Sequence, residues 1–258
     1  MRISYKLLLI LFLALTAFTG GVNSASEAPS DLGTLDVTDG VAVQSRDMTS
    51  GKIWIERLER PDRIPGLRID DVIDALELRD GIVVADIGAG SGAFSVPFAR
   101  AVGPTGRVLA VEIWPELLKF ITAKAKMAGV DNITTILCAP DDPKLPGAEV
   151  DLAFLHDVFH NVPDRQAYLK RLASSLKSGG RIAIIEQEYD DPIAQKWDVP
   201  EDRITPEQVD EWMTKVGFGL VEELDLFQGE NNPADTGMPE RWFVVYAKAA
   251  DSGRTTPD

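Results

Sequence analysis

The sequence predicts an α/β fold, with a seven-stranded, mostly parallel sheet, helices on both faces and a C-terminal antiparallel hairpin. Three observations support this class. Short apolar runs alternate with amphipathic segments, as in domains whose parallel strands are covered by helices. A glycine-rich turn at 88–92 follows the first apolar run. The last two strand patterns are joined by a short loop at 228–241, which suits antiparallel neighbours.

Two helices are predicted before the sheet. Residues 53–59 and 70–78 are amphipathic, Asp70 lies near the N-cap of the second helix, and Pro65-Gly66 separates the two. After them, apolar runs predict buried strands and helical periodicity predicts helices. The predicted strands are 82–86, 107–111, 133–137, 150–155, 181–186, 220–227 and 242–247, and the helices between them are 93–102, 115–128, 165–176 and 205–217.

Local capping signals fix the ends of three of these helices. Pro115 occupies a first helical turn, where its missing N–H costs nothing. The sequence Ser178-Gly179-Gly180 stops the helix at 165–176 before the fifth strand. Thr205 and Gln208 have the spacing of a capping box, and Gly217 ends the helix that they begin.

The N-terminus has the pattern of a secretory signal peptide. A short basic start precedes an apolar run at 7–18, which is shorter than the roughly 20 residues of a membrane span. We therefore expect residues 1–25 to be cleaved and the protein to be exported, periplasmic or secreted. An uncleaved N-terminal membrane anchor is the alternative. Further along, we expect a flexible linker at 26–51, a helical lid or cap at 52–80, the main domain at 81–249 and a disordered tail at 250–258.

Composition excludes several functions. The net charge is −15, so nucleic acid is not an expected partner, because the chain has no general attraction to phosphate backbones. The lone cysteine, Cys138, cannot form an intramolecular disulfide or a cysteine zinc site. No metal site is expected. His156, Asp157 and His160 lie close in sequence, but the four-residue spacing of the histidines helps to hold a metal only in a helix.

The glycine turn permits two cofactor classes. Gly88-x-Gly90-x-x-Ala93 satisfies the dinucleotide fingerprint of Rossmann folds, and the same glycines could surround another ligand. Asp86 lies two residues before the turn. A carboxylate there would repel a pyrophosphate and would suit a ligand with a cationic amino-acid end. The terminal hairpin is a second feature that a simple dinucleotide fold lacks.

Taken in order, the motifs resemble those of class I S-adenosylmethionine-dependent methyltransferases, which have a Rossmann-like fold. Asp86-x-Gly88-x-Gly90-x-Gly92 matches the first motif of that family, and a second strand ending in Glu112 matches the next. The loop at 141–146, the fourth strand and the turn at 176–181 also match, in the right order. The resemblance covers about 53–248 and implies S-adenosylmethionine as cofactor.

The resemblance assigns the cofactor site residue by residue. Gly88, Ala89, Gly90 and Gly92 would surround the methionine part, with Asp86 holding its ammonium group.

The nucleoside part would be held after the second and third strands. Glu112 would accept hydrogen bonds from both ribose hydroxyls, because one carboxylate offers two acceptor oxygens. Ile113 would pack on the adenine, and Asp141 or Asp142 would accept from its amino group.

Two histidines are the candidate catalytic residues. His156 follows the fourth strand, a position that borders the cofactor sulfonium in this family, and His160 comes four residues later. Either could act as a base, because imidazole titrates near neutral pH. Cofactor packing by His156 and structural hydrogen bonding are the alternatives.

The first functional hypothesis is methyl transfer to a small-molecule acceptor by in-line displacement, which gains much of its rate from positioning. A second is an exported S-adenosylmethionine- or S-adenosylhomocysteine-binding module without transferase activity. A third is a nicotinamide-dependent oxidoreductase, against which Asp86 and the hairpin argue. The segment at 54–63 is interpreted as part of a lid over the cofactor, with a helix capping the sheet edge as the alternative.

Overall fold

A seven-stranded sheet forms the centre of the molecule, in a computed structural model that describes residues 51–188, 203–231 and 239–248. The described residues lie in one unit, Ser45–Asp258. The predicted signal peptide, the tail and all of the linker except Gly51 lie outside the described residues. Gly51 itself is buried at the start of the first helix, because packing against Trp114 and Glu116 places it in the fold.

The strand order is β3-β2-β1-β4-β5-β7-β6. The first five strands are parallel, and β7 runs antiparallel to both β5 and β6. The strands are β1 Val83–Ile87, β2 Arg107–Glu112, β3 Ile133–Leu137, β4 Val150–His156, β5 Leu176–Gln187, β6 Phe218–Glu223 and β7 Arg241–Lys248. This arrangement confirms the predicted sheet and its C-terminal hairpin.

Helices cover both faces of the sheet. They are α1 Gly51–Leu58, α2 Arg63–Gly66, α3 Ile69–Ala75, α4 Ser95–Ala101, α5 Pro115–Ala128, α6 Arg165–Ser175 and α7 Pro206–Lys215. One face packs on α3 and α4 through side chains such as Val72 and Phe98. The other face packs on α6 and α7 through side chains such as Leu172 and Met213. Residues of one strand alternate between these two cores.

Several predicted boundaries differ from the structure for local reasons. Pro65-Gly66 lies between the two predicted helices, but within an additional single-turn helix, α2, where Pro occupies an early helical position. The N-cap of α3 is Arg68, with φ of 45°, and Asp70 lies in the first turn. The capping box of Thr205 and Gln208 is present as predicted.

The ends of β5 and β6 also differ from the sequence prediction. Strand β5 starts at Leu176, which pairs with Val150 before the register shifts to Leu152 and Arg181. The glycines at 179 and 180 therefore form an irregularity within the strand. Strand β6 ends at Glu223, four residues earlier than predicted. The chain beyond it keeps two backbone hydrogen bonds to β7, from Leu224 N to the Phe243 carbonyl at 2.8 Å and from Arg241 N to the Phe227 carbonyl at 3.3 Å, and Phe227 is buried in the core.

Within the described residues, every helix is too short or too polar to cross a membrane.

Candidate cofactor and acceptor site

The glycine turn is fixed to the sheet by backbone hydrogen bonds. The amide of Ala89 donates to the Val111 carbonyl of β2 at 3.0 Å, and the Gly92 amide donates to the Ala89 carbonyl at 2.8 Å. Gly88 has φ of 66°, and a Cβ there would lie 2.4 Å from Val158 Cγ2. The turn therefore requires glycine at this position for both conformation and space.

Asp86 lies in β1, two residues before this turn, and is buried. Its Oδ2 accepts a hydrogen bond from the Ser95 hydroxyl at the start of α4. Burial raises the pKa of Asp86 to about 7, the Ser95 hydrogen bond opposes that rise, and nearby Glu112 adds to it. A cation beside Asp86 would favour the ionised form, so the carboxyl group is suited to bind an ammonium group.

Glu112 is the last residue of β2 and is held by three backbone amides. Its Oε2 accepts from Gly90 N at 2.9 Å, and its Oε1 accepts from Ile113 N at 2.7 Å and Trp114 N at 3.2 Å. Burial raises the pKa of Glu112, and these amide hydrogen bonds oppose the rise. The carboxylate thus lies against the glycine turn, while the Ile113 side chain is 42% exposed.

The loop after β3 begins beside Glu112, because Cys138 N donates to the Glu112 carbonyl at 3.1 Å. Ala139 and Asp142 exchange backbone hydrogen bonds, which closes a tight turn around Asp141. Asp142 Oδ1 accepts from Lys144 N at 2.9 Å, and the Asp141 carbonyl accepts from Arg171 at 2.7 Å. The turn therefore positions both acidic residues next to the end of β2.

The two histidines occupy different environments. His156 ends β4, packs on Phe94 with ring centroids 5.1 Å apart, and has no hydrogen-bond partner for Nε2. Burial lowers the pKa of His156 to about 3, so it is neutral and weakly basic near neutral pH. His160 lies in a short 3-10 helix, with Nδ1 2.7 Å from Glu186 Oε2 and Nε2 2.8 Å from Asn161 Nδ2. The structure gives the two imidazoles separate partners.

Glu186 is buried rather than solvated at the sheet edge. Its Oε1 accepts from the amides of Val158, Phe159 and His160 at 3.0, 2.6 and 3.3 Å. The side chain therefore holds the turn after β4 and orients the His160 ring.

Helix α1 packs over the glycine turn. A Cβ at Gly90 would lie 2.8 Å from Leu58 Cδ1, so the two are in close contact. Lys124 of α5 binds Glu59 Oε1 at 2.7 Å and the Ser91 carbonyl at 3.4 Å, which ties α1, the turn and α5 together.

The decisive observation comes from comparison with protein families. Residues 85–184 match the sequence model of the family described as "Methyltransferase domain". This part of the chain is similar to class I methyltransferase domains. The class uses S-adenosylmethionine as methyl donor, which decides between the two cofactors that the glycine motif alone left open. The matched range includes the glycine turn, Glu112 and both histidines.

Known relatives agree with this assignment. The chain is 30% identical over 159 residues to the ubiquinone/menaquinone biosynthesis C-methyltransferase UbiE of Haemophilus ducreyi, covering 60% of this chain and 58% of that protein. It is 29% identical over 113 residues to the nocamycin O-methyltransferase of Saccharothrix syringae, covering 44% of this chain and 40% of that protein. The chain therefore spans about half the length of these curated relatives.

A solved S-adenosylmethionine-dependent methyltransferase from Aquifex aeolicus shares the fold, with a TM-score of 0.63 at 22% identity. The match covers 77% of this chain and 97% of that one. Together with the family match, this fold confirms the resemblance on which the cofactor prediction was based.

Sequence reasoning missed one buried charged group outside the matched range. Arg241, the first residue of β7, is fully buried, with its Nε 3.5 Å from Asp157 Oδ2. Asp157 has φ of 51°, and burial acts to raise its pKa, but His156, Arg241 and Arg63 hold that pKa below its usual value. The one available signal was an arginine at the start of an otherwise apolar strand.

Proposed function

We propose that this chain transfers a methyl group from S-adenosylmethionine to a small-molecule acceptor at the carboxyl edge of β1, β2 and β4. The observation that carries the proposal is the pair of acidic residues around the glycine turn. Asp86 and Glu112 lie near the carboxyl ends of neighbouring parallel strands, and Glu112 accepts a hydrogen bond from the Gly90 amide. Ligands of open α/β sheets bind at such strand ends.

Residues at the glycine turn would hold the methionine end of the cofactor. Asp86 would bind the ammonium group, and Gly88, Ala89, Gly90 and Gly92 would surround the methionine chain.

Other residues would hold the nucleoside. Glu112 would accept from the ribose hydroxyls, Ile113 would cover the adenine, and Asp141 or Asp142 would accept from its amino group. His156 would pack beside the turn as a neutral hydrogen-bonding group.

When bound, the cofactor supplies an activated methyl group that an acceptor nucleophile displaces in line. The protein's main contribution is then to position the acceptor. Where a base is needed, His160 is the better candidate, because Glu186 orients its ring and would stabilise an imidazolium. The low pKa of His156 disfavours it as a base near neutral pH.

Calorimetric titration of the purified chain with S-adenosylmethionine and S-adenosylhomocysteine tests the cofactor site. We expect micromolar binding that is abolished in Gly90→Arg, because that side chain would enter the space of Leu58. Binding should weaken at least about tenfold in Glu112→Ala, which removes two acceptor oxygens. Glu149→Ala is a matched control, because Glu149 pairs with Arg107 at the opposite edge of the sheet. Absence of binding to both ligands would refute the proposal.

A binding module without transferase activity is the second candidate, favoured by the weak basicity of His156. A screen with a labelled methyl group separates the two. Cofactor binding with label transfer supports the enzyme, and binding without transfer to any of a broad set of oxygen, nitrogen and carbon nucleophiles supports the module.

We also propose that the protein is exported after cleavage near residue 25 and that α1 is part of a lid. Contacts of Leu58 with Gly90 and of Glu59 with Lys124 support the lid. Mass spectrometry of the mature protein should show loss of residues 1–25, and an intact Met1 would contradict cleavage. Deletion of 26–66 should weaken cofactor binding, and unchanged affinity would rule out the lid.

A further inference from the structure

We infer that the acceptor carries a carboxylate group, bound by Arg63 and Arg241 beside the glycine turn. This inference rests on the proposed function, since it names the chemistry of the molecule that receives the methyl group. We use the name arginine cluster for Arg63, Asp157 and Arg241.

Buried polar atoms without partners are concentrated at this place. Seven buried side-chain atoms in the described residues lack a hydrogen-bond partner, and five of them belong to His156, Asp157, Gln187 and Arg241. Gln187 lies directly opposite Arg241 in the β5–β7 register. Buried polar groups are normally satisfied, so a concentration of unsatisfied ones indicates a place where a polar ligand binds.

Arg241 presents a suitable edge for a carboxylate. Its Nη1 reaches the Gly66 carbonyl at 3.4 Å, and its guanidinium lies over the Phe227 ring at 5.5 Å. The remaining donors, Nε and Nη2, have no hydrogen-bond partner among the described residues. These two groups share one edge of the planar guanidinium, and that edge matches the two oxygens of a carboxylate. Asp157 approaches only the Nε end of this edge, as an ion pair at 3.5 Å without a hydrogen bond, and its Oδ1 has no hydrogen-bond partner.

The charges of the cluster also favour an anion. Arg63 and Arg241 carry two positive charges against the one carboxylate of Asp157, and the electrostatic influence of both arginines reaches Asp157. Two further acidic groups near Arg63 are already paired, Glu59 with Lys124 at 2.7 Å and Asp62 with Arg60. The whole chain has a net charge of −15, so a local cationic site would favour binding of an anion against the overall charge.

Contacts place the arginine cluster next to the glycine turn. Val158, which follows Asp157, lies against Gly88. On the other side, Arg63 Nη1 donates to the Leu58 carbonyl at 3.3 Å, and the Leu58 side chain lies against Gly90. An acceptor anchored at the cluster would therefore adjoin the segment that we assign to the methionine end of the cofactor.

The test uses the full purified chain saturated with S-adenosylhomocysteine. Ligand-observed NMR titrations at constant ionic strength compare benzoate, benzamide and inorganic phosphate as probes. We expect benzoate to bind at least about tenfold more tightly than benzamide, because only benzoate offers two anionic oxygens. Equal affinities, or no binding of benzoate, would overturn the inference. Phosphate binding tenfold tighter than benzoate would overturn the assignment to a carboxylate.

Substitutions test whether the preference for benzoate arises at the arginine cluster. Arg241→Lys keeps the charge and loses the planar edge, so it should remove most of the preference for benzoate. Arg63→Met, at a half-buried position, should lower benzoate affinity about tenfold and keeps the test valid if the Arg241 variant does not fold. Arg107→Met, at the opposite edge of the sheet, should change nothing. A preference that survives in both cluster variants would refute the site.

The same samples separate this inference from the proposed function. Binding of S-adenosylhomocysteine without a benzoate preference removes the carboxylate site and leaves the methyltransferase proposal intact. If S-adenosylhomocysteine does not bind, the function fails, and the benzoate titration of the unliganded chain still reports on the arginine cluster.

Discussion

Asp86 should make cofactor binding depend on pH in the range from 5 to 7. In the unliganded protein, burial raises the pKa of Asp86 to about 7, so at pH 7 about half of the molecules carry a carboxylate there. The ammonium group of the cofactor, which we propose Asp86 holds, would bind the carboxylate and not the neutral acid. Binding should therefore weaken as pH falls, since a proton must first leave Asp86.

The size of the effect follows from the ionised fraction. With a pKa of about 7, this fraction falls from roughly one half at pH 7 to about one hundredth at pH 5, which predicts a loss of about 50-fold in affinity. An α-amino group has a pKa of about 8, so the charge of the cofactor changes little over this range. Burial also raises the pKa of Glu112. Protonation of Glu112 should therefore add to the loss of cofactor affinity at the acidic end of this pH range.

Calorimetry with S-adenosylhomocysteine at pH 5, 6 and 7 measures the dependence. Asp86→Asn should bind more weakly at pH 7 and lose most of the pH dependence, whereas Glu149→Gln, at an exposed site, should behave as wild type. A change of less than about threefold in wild-type affinity between pH 5 and 7 would refute this role of Asp86. Full pH dependence of the affinity in Asp86→Asn would refute it as well.

Three further variants test individual contacts. Gly88→Ala should lower the free energy of unfolding by about 2–4 kcal/mol, against about 1 kcal/mol for Gly129→Ala. Both glycines have φ near 66°, but only Gly88 is crowded, so equal losses in denaturant unfolding would contradict the packing argument. Glu186→Ala should lower the free energy of unfolding by about 2–4 kcal/mol, because it leaves His160 and three amides without their acceptor. A denaturant midpoint within experimental error of wild type would contradict this. Lys124→Met should increase proteolytic cleavage near α1 by releasing its ion pair with half-buried Glu59, and an unchanged cleavage pattern would show that this pair does not hold the helix.

Local sequence signals predicted the strands and the residues at their carboxyl ends. The glycine turn and Glu112 could be placed because a buried strand followed by a turn has a short-range pattern. The irregularity within β5 was not predicted, because Gly179 and Gly180 equally suit a turn before a strand and a distortion within one. Such a choice depends on pairing with β4, which lies outside the local sequence.

The side-chain network after β4 could not be predicted for a related reason. Asp157 and Arg241 are distant in sequence, and only the sheet order brings β7 next to β5 and so near the end of β4. A polar residue such as Glu186 at a strand end is compatible with a substrate contact or with a solvated rim, and the local sequence does not show that it is buried. The folded chain instead turns three amides toward it. The sequence made His156 and His160 equal candidates for a base, but a strand end and a 3-10 helix give them different surroundings.

The three amides around Glu112 also have a consequence for the thermodynamics of binding. A free glutamate side chain samples several rotamers, and fixing it when a ligand arrives costs conformational entropy. Here Gly90, Ile113 and Trp114 restrict the carboxylate before any ribose is present. That ordering takes place when the chain folds, so association with a nucleoside should carry a smaller entropic penalty at this residue than it would for an unrestrained acid.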